Sequence, residues 1–168
     1  MTQSSINHQS TKLLAQIRKW ILLFVILLIL SGITAFPIET EIKFIYQRLH
    51  FFPAFMQPWL TQIYTDIVET NKNYPFISYG TDWLAFAHIV IGLAFIGPYK
   101  DPVKNIWIIE WAMLCCIAVL PLAFIAGPIR GIPFYHQLID CSFGVLGIIP
   151  LYMVWKKVKS LEMLLTHK

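Results

Sequence analysis

Residues 127–141 read GPIRGIPFYHQLIDC and join two long apolar runs, residues 105–126 and residues 136–155. This stretch carries an arginine, a histidine and an aspartate in a region that is otherwise nearly free of charge. Ionisable side chains are costly to place in hydrocarbon, so they need partners or a function there. A short polar connection between two apolar runs indicates a helical hairpin in a membrane.

The overall composition indicates an integral membrane protein with a single domain. Of the 168 residues, 57% are hydrophobic and 13% are charged, whereas soluble domains have roughly 25% charged residues. A soluble globule of this size would need more polar surface than the chain supplies. The excess of Lys and Arg over Asp and Glu, 13 to 9, is modest. The lipid bilayer is therefore the expected partner, and no nucleic acid is needed to explain the charge.

Four apolar runs predict transmembrane helices, because about 20 apolar residues are needed to cross the hydrocarbon core. Pro37 ends the first run, and Gly-Pro pairs end the second and third, since glycine caps a helix and proline does not continue it. Thr81 is expected to be the N-cap of the second helix. The predicted segments are a cytoplasmic tail at 1–19 with a flexible start at 1–11, spans at 20–36, 82–97, 105–126 and 136–155, an extracytoplasmic amphipathic segment at 37–81, and a cytoplasmic tail at 156–168.

The segment at 37–81 has the pattern of two amphipathic helices. Apolar residues recur at helical spacing from Ile42 to Phe52, with charged residues between them. Pro58 then precedes a run in which apolar pairs alternate with polar pairs as far as Thr70, which is typical of an amphipathic helix with proline in its first turn. The expected fold class is all-α: a polytopic membrane protein with four transmembrane helices in a bundle, plus an extracytoplasmic amphipathic helical hairpin.

The distribution of basic residues predicts that both termini are cytoplasmic, because Lys and Arg are enriched in cytoplasmic loops. The predicted outer side carries Lys43, Arg48, Lys72 and Arg130. Nine of the 13 basic residues lie on the predicted inner side, namely Lys12, Arg18, Lys19, Lys100, Lys104, Lys156, Lys157, Lys159 and Lys168. Short loops and a compact size favour a multi-pass location in a prokaryotic cytoplasmic membrane.

Two of the predicted helices carry ionisable residues near their outer ends. His136 and Asp140 are four residues apart, so they share a face of the fourth helix. On the second helix, His88 lies about 9 Å below Asp82 by the helical rise, at a depth similar to that of Asp140. The stripe of His136 and Asp140 continues into residues expected to be buried in the bundle, namely Phe143, Gly144 and Gly147.

The sequence therefore predicts an outward-facing polar pocket, because ionisable groups within a membrane usually mark a functional site. Its members are Asp82, His88, Arg130, His136 and Asp140, with Tyr79, Tyr135 and Glu110 as secondary candidates. The opposing interpretation is a structural network. In that network Arg130 pairs with Asp140, His88 donates to a backbone carbonyl such as that of Ile117, and Glu110 reaches Lys100 or Lys156.

Three functional hypotheses follow from these residue types. The first is a lipid-binding, ligand-binding or accessory protein with a membrane protein partner or a second copy of the chain, since Arg130 suits an anionic headgroup. The second is a small membrane enzyme in which His88, His136, Asp82 and Asp140 act as acid–base groups or as ligands of a transition metal. Haem is disfavoured, because His88 and His136 differ in depth by about 9 Å. The third is a transporter unit, although four helices rarely enclose a pathway alone.

Overall fold

The computed structural model describes residues 3–166, with side chains from residue 6 onward. These residues form helices and connecting turns and no strands, which confirms the predicted all-α fold. A short 3-10 turn, Leu49–Phe51, lies between the second and third helices. The helices are α1 (Gln3–Ala35), α2 (Ile38–Tyr46), α3 (Gln57–Asn73), α4 (Pro75–Ala94), α5 (Ile96–Lys100), α6 (Ile106–Ile129) and α7 (Phe134–Thr166).

Four helical stretches are long and apolar enough to cross a membrane, so the chain is a multi-pass membrane protein. They are Ile6–Ala35, Pro75–Lys100, Ile106–Ile129 and Phe134–Thr166. α1 and α7 have 33 residues each, which corresponds to about 50 Å at the helical rise. Both helices are therefore longer than the hydrocarbon core of roughly 30 Å and extend beyond it.

The chain divides into two compact units, which are described separately. The terminal unit comprises residues 1–26 and 94–168, and the central unit comprises residues 27–93. In the terminal unit α6 and α7 form an antiparallel hairpin whose backbones approach closely, because Gly144 has no side chain. A Cβ atom at Gly144 would overlap the carbonyl oxygen of Cys116. The core of this unit contains the fully buried side chains of Ile17, Ile21, Ile109, Leu151, Val154 and Val158.

Polar contacts join the two ends of the chain within the terminal unit. Arg18 Nε donates to the carbonyl oxygen of Tyr99 at 3.0 Å, and its guanidinium lies 5.6 Å from the centre of the Tyr99 ring. Lys157 Nζ donates to Gln16 Oε1 at 2.7 Å. The first half of α1, the last half of α7 and the end of α5 therefore lie at the same end of this unit.

The central unit contains the predicted hairpin, in which α2 and α3 are in contact and Ile42 and Leu60 are their buried side chains. The rings of Tyr46 and Tyr64 stack with their centroids 4.3 Å apart. Asn71 connects three helices: its Nδ2 donates to Glu39 Oε2 on α2 at 2.5 Å, and its Oδ1 accepts a hydrogen bond from Ser78 Oγ on α4. The structure thus confirms the two amphipathic helices and adds a polar connection to α4.

Several predicted helix boundaries are wrong. Residues 3–11, expected to be flexible, belong to α1, and residues 1 and 2 lie outside the described residues. α4 begins at Pro75, so Thr81 lies inside the helix and is not its N-cap. Proline is favoured in the first turn of a helix, where its missing N–H has no acceptor to lose. The Gly-Pro pair at 127–128 does not stop α6, which continues to Ile129.

The buried face of α7 also differs from the prediction. Phe143 is 66% exposed, and the side chains of His136 and Asp140 are 33% and 47% exposed. Gly144 is buried as predicted, and the rest of the buried stripe is formed by Gln137, Cys141, Leu151, Val154, Val158 and Leu161. The helix is rotated by about one residue, or 100°, from the orientation that the His136 and Asp140 spacing suggested.

Candidate functional site

The turn between α6 and α7 fixes the position of Arg130. Gly131 has a φ of 69°, a left-handed conformation that glycine adopts without steric cost. The amide of Ile132 donates to the carbonyl of Gly127 at 2.9 Å, and the amide of Gly131 donates to that of Pro128 at 3.1 Å. These two hydrogen bonds close the C-terminus of α6, so Arg130 is held at the end of that helix.

A buried glutamine connects this turn to α7. Gln137 is only 4% exposed, and its Nε2 donates to the carbonyl oxygen of Ile132 at 2.7 Å. Its side chain packs on Gly127, where a Cβ atom would lie 2.6 Å from Gln137 Cδ. The sequence analysis overlooked Gln137 because it is not ionisable, although an amide within an apolar run is itself a signal of a buried hydrogen bond.

An open groove of about 260 Å³ runs along α6 and ends at this turn. Ile132 of the turn and Asp140 of α7 also line it. Its α6 wall is a single helical stripe that spans about 16 Å by the helical rise and contains Val119, Leu122, Ala123, Ala126, Gly127 and Arg130. We call this feature the Arg130 groove: a charged end at Arg130 and a mostly aliphatic, small-residue wall along the rest of the helix.

The two charged residues of the Arg130 groove do not pair with each other. The Arg130 side chain is exposed and has no hydrogen-bond or ion-pair partner among the described residues. Asp140 Oδ1 lies 3.8 Å from His136 Nε2, one helical turn away. The ion pair of Arg130 and Asp140, expected in the network interpretation, is therefore absent among the described residues, although both side chains line the same groove.

In the central unit, α4 carries the other predicted site residues. His88 Nδ1 lies 2.9 Å from the carbonyl oxygen of Leu84, one turn earlier, so its backbone partner is Leu84 rather than Ile117. Asp82 and Tyr79 both line a pocket of about 330 Å³. Asp82 has no hydrogen-bond or ion-pair partner among the described residues.

The structure thus divides the predicted cluster into two sets, one in each unit. Asp82, His88 and Tyr79 lie on α4 of the central unit, whereas Arg130, Tyr135, His136 and Asp140 lie in the α6–α7 hairpin of the terminal unit. The meeting of the two sets in one pocket stays a prediction. Within the part of the chain that is described, neither unit contains three or more His, Cys, Asp or Glu side chains placed to hold a metal ion.

Glu110 has a partner that the sequence did not suggest. Its Oε1 accepts a hydrogen bond from Trp155 Nε1 at 2.9 Å, which connects α6 to α7 within the terminal unit. Lys156, expected to reach Glu110, instead lies 5.6 Å from the centre of the Tyr152 ring. Glu110 is therefore engaged in the packing of the hairpin and is not part of either pocket.

Comparison with known proteins identifies no relative of this chain: no family model, no curated protein and no solved structure matches it. Function is therefore inferred from the residues that line the two pockets.

Proposed function

We propose that this membrane protein binds an amphiphile with an anionic headgroup in the Arg130 groove. The single observation that carries the proposal is an arginine without a partner, at the end of a groove whose remaining α6 wall is apolar. A guanidinium presents a planar fork of donors that suits phosphate and carboxylate groups. The ligand's anionic group would lie at Arg130, and its chain would lie along α6 towards Val119.

The headgroup would supply most of the selectivity. Lipid tails are as apolar as the wall of the groove, so burying a chain there gains little hydrophobic free energy inside a bilayer. Close contacts with Leu122 and Ala123 would add dispersion energy, which is small for each atom pair. A charge-assisted hydrogen bond contributes more, about 1.5–3 kcal/mol. We therefore expect selection by charge, with the groove adding a preference for chain shape.

The other polar groups of the groove favour a headgroup that also donates a hydrogen bond. Asp140 is a hydrogen-bond acceptor in the lining of the groove, and its Oδ1 lies 3.8 Å from Nε2 of the neighbouring His136. The volume of about 260 Å³ lies below the range of roughly 300–1,000 Å³ for pockets that enclose drug-sized ligands. The groove accordingly suits one acyl chain and a hydroxyl-bearing anionic head, such as a phosphoglycerol.

The proposal is tested by native mass spectrometry of protein released from mixed phosphatidylglycerol and phosphatidylcholine nanodiscs. The wild-type chain should retain phosphatidylglycerol in preference to phosphatidylcholine. Arg130→Gln should lower the affinity for phosphatidylglycerol about tenfold or more, the loss expected for one charge-assisted contact. Lys72→Gln removes a charge from the exposed end of α3 and serves as the matched control.

A second pair of variants tests the groove itself rather than its charge. Ala126→Leu should fill the middle of the Arg130 groove and weaken retention of the lipid. Ala118→Leu adds the same volume at an exposed position of α6 outside the groove and should leave retention unchanged. Equal retention of both lipids by the wild type, or equal effects of Arg130→Gln and Lys72→Gln, would contradict the proposal.

A further inference from the structure

The second pocket, in the central unit, has an unusual combination of side chains. Its volume is about 330 Å³. The residues that line it are Phe36, Tyr79, Asp82, Trp83 and Phe86, and we call them the Asp82 box. Four aromatic side chains and the side chain of Asp82 therefore line one open surface pocket.

The geometry of α4 explains how the box forms. Tyr79, Trp83 and Phe86 recur at the spacing that puts residues on one helix face, and Asp82 lies within the same stripe. Neighbouring rings meet edge to face: Tyr79 and Trp83 at 6.0 Å and 82°, Trp83 and Phe86 at 6.2 Å and 88°. Successive rings on this face of α4 are thus nearly perpendicular.

Location at a membrane surface explains the rings but not the carboxylate. Exposed Trp and Tyr are common at the two membrane–water interfaces, and Tyr79 and Trp83 are 54% and 57% exposed. The face of an aromatic ring is electrically negative, and Asp82 in the same lining carries a carboxylate that has no protein partner among the described residues. A cation in the pocket would be attracted both by the rings and by Asp82.

We propose that the Asp82 box binds an organic ammonium group, either a soluble cation or the choline or ethanolamine headgroup of a phospholipid. Ring faces attract such cations, and quaternary ammonium groups are bound in aromatic cages of this kind. A hard metal ion suits the box poorly, because Ca²⁺ takes six to eight oxygen ligands and the box supplies one carboxylate. This site is separate from the Arg130 groove in its residues and selects the opposite charge.

The test is an NMR titration of protein labelled with ¹⁵N-tryptophan in a maltoside micelle, which contains no ammonium group. Tetramethylammonium chloride should produce a saturable shift of the Trp83 indole resonance, identified by its loss in Trp83→Phe, and sodium chloride at equal ionic strength should not. Trp107 on α6 is 62% exposed, similar to the 57% of Trp83, and lies outside the box. Its indole resonance is the matched internal control and should not respond.

Two variants test the contributions of the carboxylate and of the rings to the binding of tetramethylammonium. Asp82→Asn should weaken the binding of tetramethylammonium by about fivefold or more, and so should Tyr79→Leu, since each removes one of the two attractions. Arg130→Gln should leave the titration unchanged, so the failure of this site and the failure of the Arg130 groove are distinguishable. No saturable shift at Trp83, or a titration that Asp82→Asn does not alter, would overturn the proposal.

The source of the ammonium group is resolved in nanodiscs. If the ligand is a lipid headgroup, tetramethylammonium should shift Trp83 in phosphatidylglycerol nanodiscs but not in phosphatidylcholine nanodiscs, where the box is already occupied. If the ligand is a soluble cation, the titration should be the same in both. A response in neither lipid, with a normal Trp107 signal, would contradict the proposal in a bilayer.

Discussion

The Arg130 groove and the Asp82 box use opposite means to create a charged pocket. The groove is formed by small residues on α6, which leave space beside the helix, and a cation closes one end. The box is formed by large rings, three on α4 and Phe36 from the connection between α1 and α2, which line an open pocket together with the anionic Asp82. Because each charge has its own pocket and no protein partner among the described residues, each is suited to an external group of the opposite sign. Under the two proposals, the two pockets differ in the sign of the charge that each selects.

The largest expected loss of stability comes from a substitution that disrupts the packing of α6 against α7 in the terminal unit. Gly144→Val would force a side chain against the Cys116 carbonyl, which cannot move without separating α6 from α7. Overpacking of a core typically costs 1–3 kcal/mol, and we expect about 3 kcal/mol here because the obstacle is backbone. The measurement is thermal unfolding in detergent, monitored by circular dichroism, together with the tetramethylammonium titration of Trp83.

The control is Gly80→Ala, at a helical position with nothing within 4 Å of an added Cβ atom. It should raise stability slightly, because alanine is favoured over glycine in a helix by about 0.5–1 kcal/mol. If Gly144→Val also abolished the response of Trp83 at a temperature where its helices remain folded, the two pockets would not be independent.

The buried amides of the two units give the second prediction. Gln137→Leu should destabilise the protein by about 2 kcal/mol, because it leaves the part-buried Ile132 carbonyl without the donor that the buried Gln137 supplies. It should also weaken binding of phosphatidylglycerol, since that turn positions Arg130. Asn71→Leu breaks two side-chain hydrogen bonds in the central unit but at a half-buried position, so we expect about 1 kcal/mol and no change in lipid retention.

Chemical denaturation and lipid retention are measured for both variants. Together they show whether Gln137 and Asn71 differ in their effect on lipid binding as well as on stability. Equal losses of lipid in the Gln137 and Asn71 variants would mean that retention reports general stability and not the position of Arg130.

The helices were predictable from the sequence where the apolar or amphipathic pattern extends over many residues. Four apolar runs and two amphipathic runs each indicated a helix, and the structure contains them. Their ends were less predictable, because Pro75 and Thr81 are both acceptable start signals and only the packing of the chain selects Pro75. The buried face of α7 was also ambiguous: Gly144 lies near the stripe of His136 and near that of Gln137, and one residue rotates the helix by about 100°.

The pockets were predictable only in part. Arg130 and Asp82 were identified because charges are rare in this chain. An ionisable residue within a membrane marks a candidate site whatever its partner is. The rings of the Asp82 box were overlooked because bilayer interfaces already explain aromatic residues. The spacing of Tyr79, Trp83 and Phe86 about Asp82 was a signal that could have been found. Phe36 could not, because it comes from the connection between α1 and α2, and only the fold brings it to α4.

The smallest expected changes in stability come from removing a charge that has a protein partner, Asp140, and a charge that has none among the described residues, Arg130. Asp140→Asn removes a half-exposed contact to His136, and pairs of this kind contribute about 0.3–0.5 kcal/mol. Arg130→Gln removes a side chain with no partner among the described residues, so the unfolding temperature in a lipid-free detergent should not change. In phosphatidylglycerol, Arg130→Gln should reduce the lipid-induced increase in Tm, because weaker binding to the folded state stabilises it less. A loss of stability on Arg130→Gln in detergent alone would mean that Arg130 holds the fold together and is not kept for a ligand.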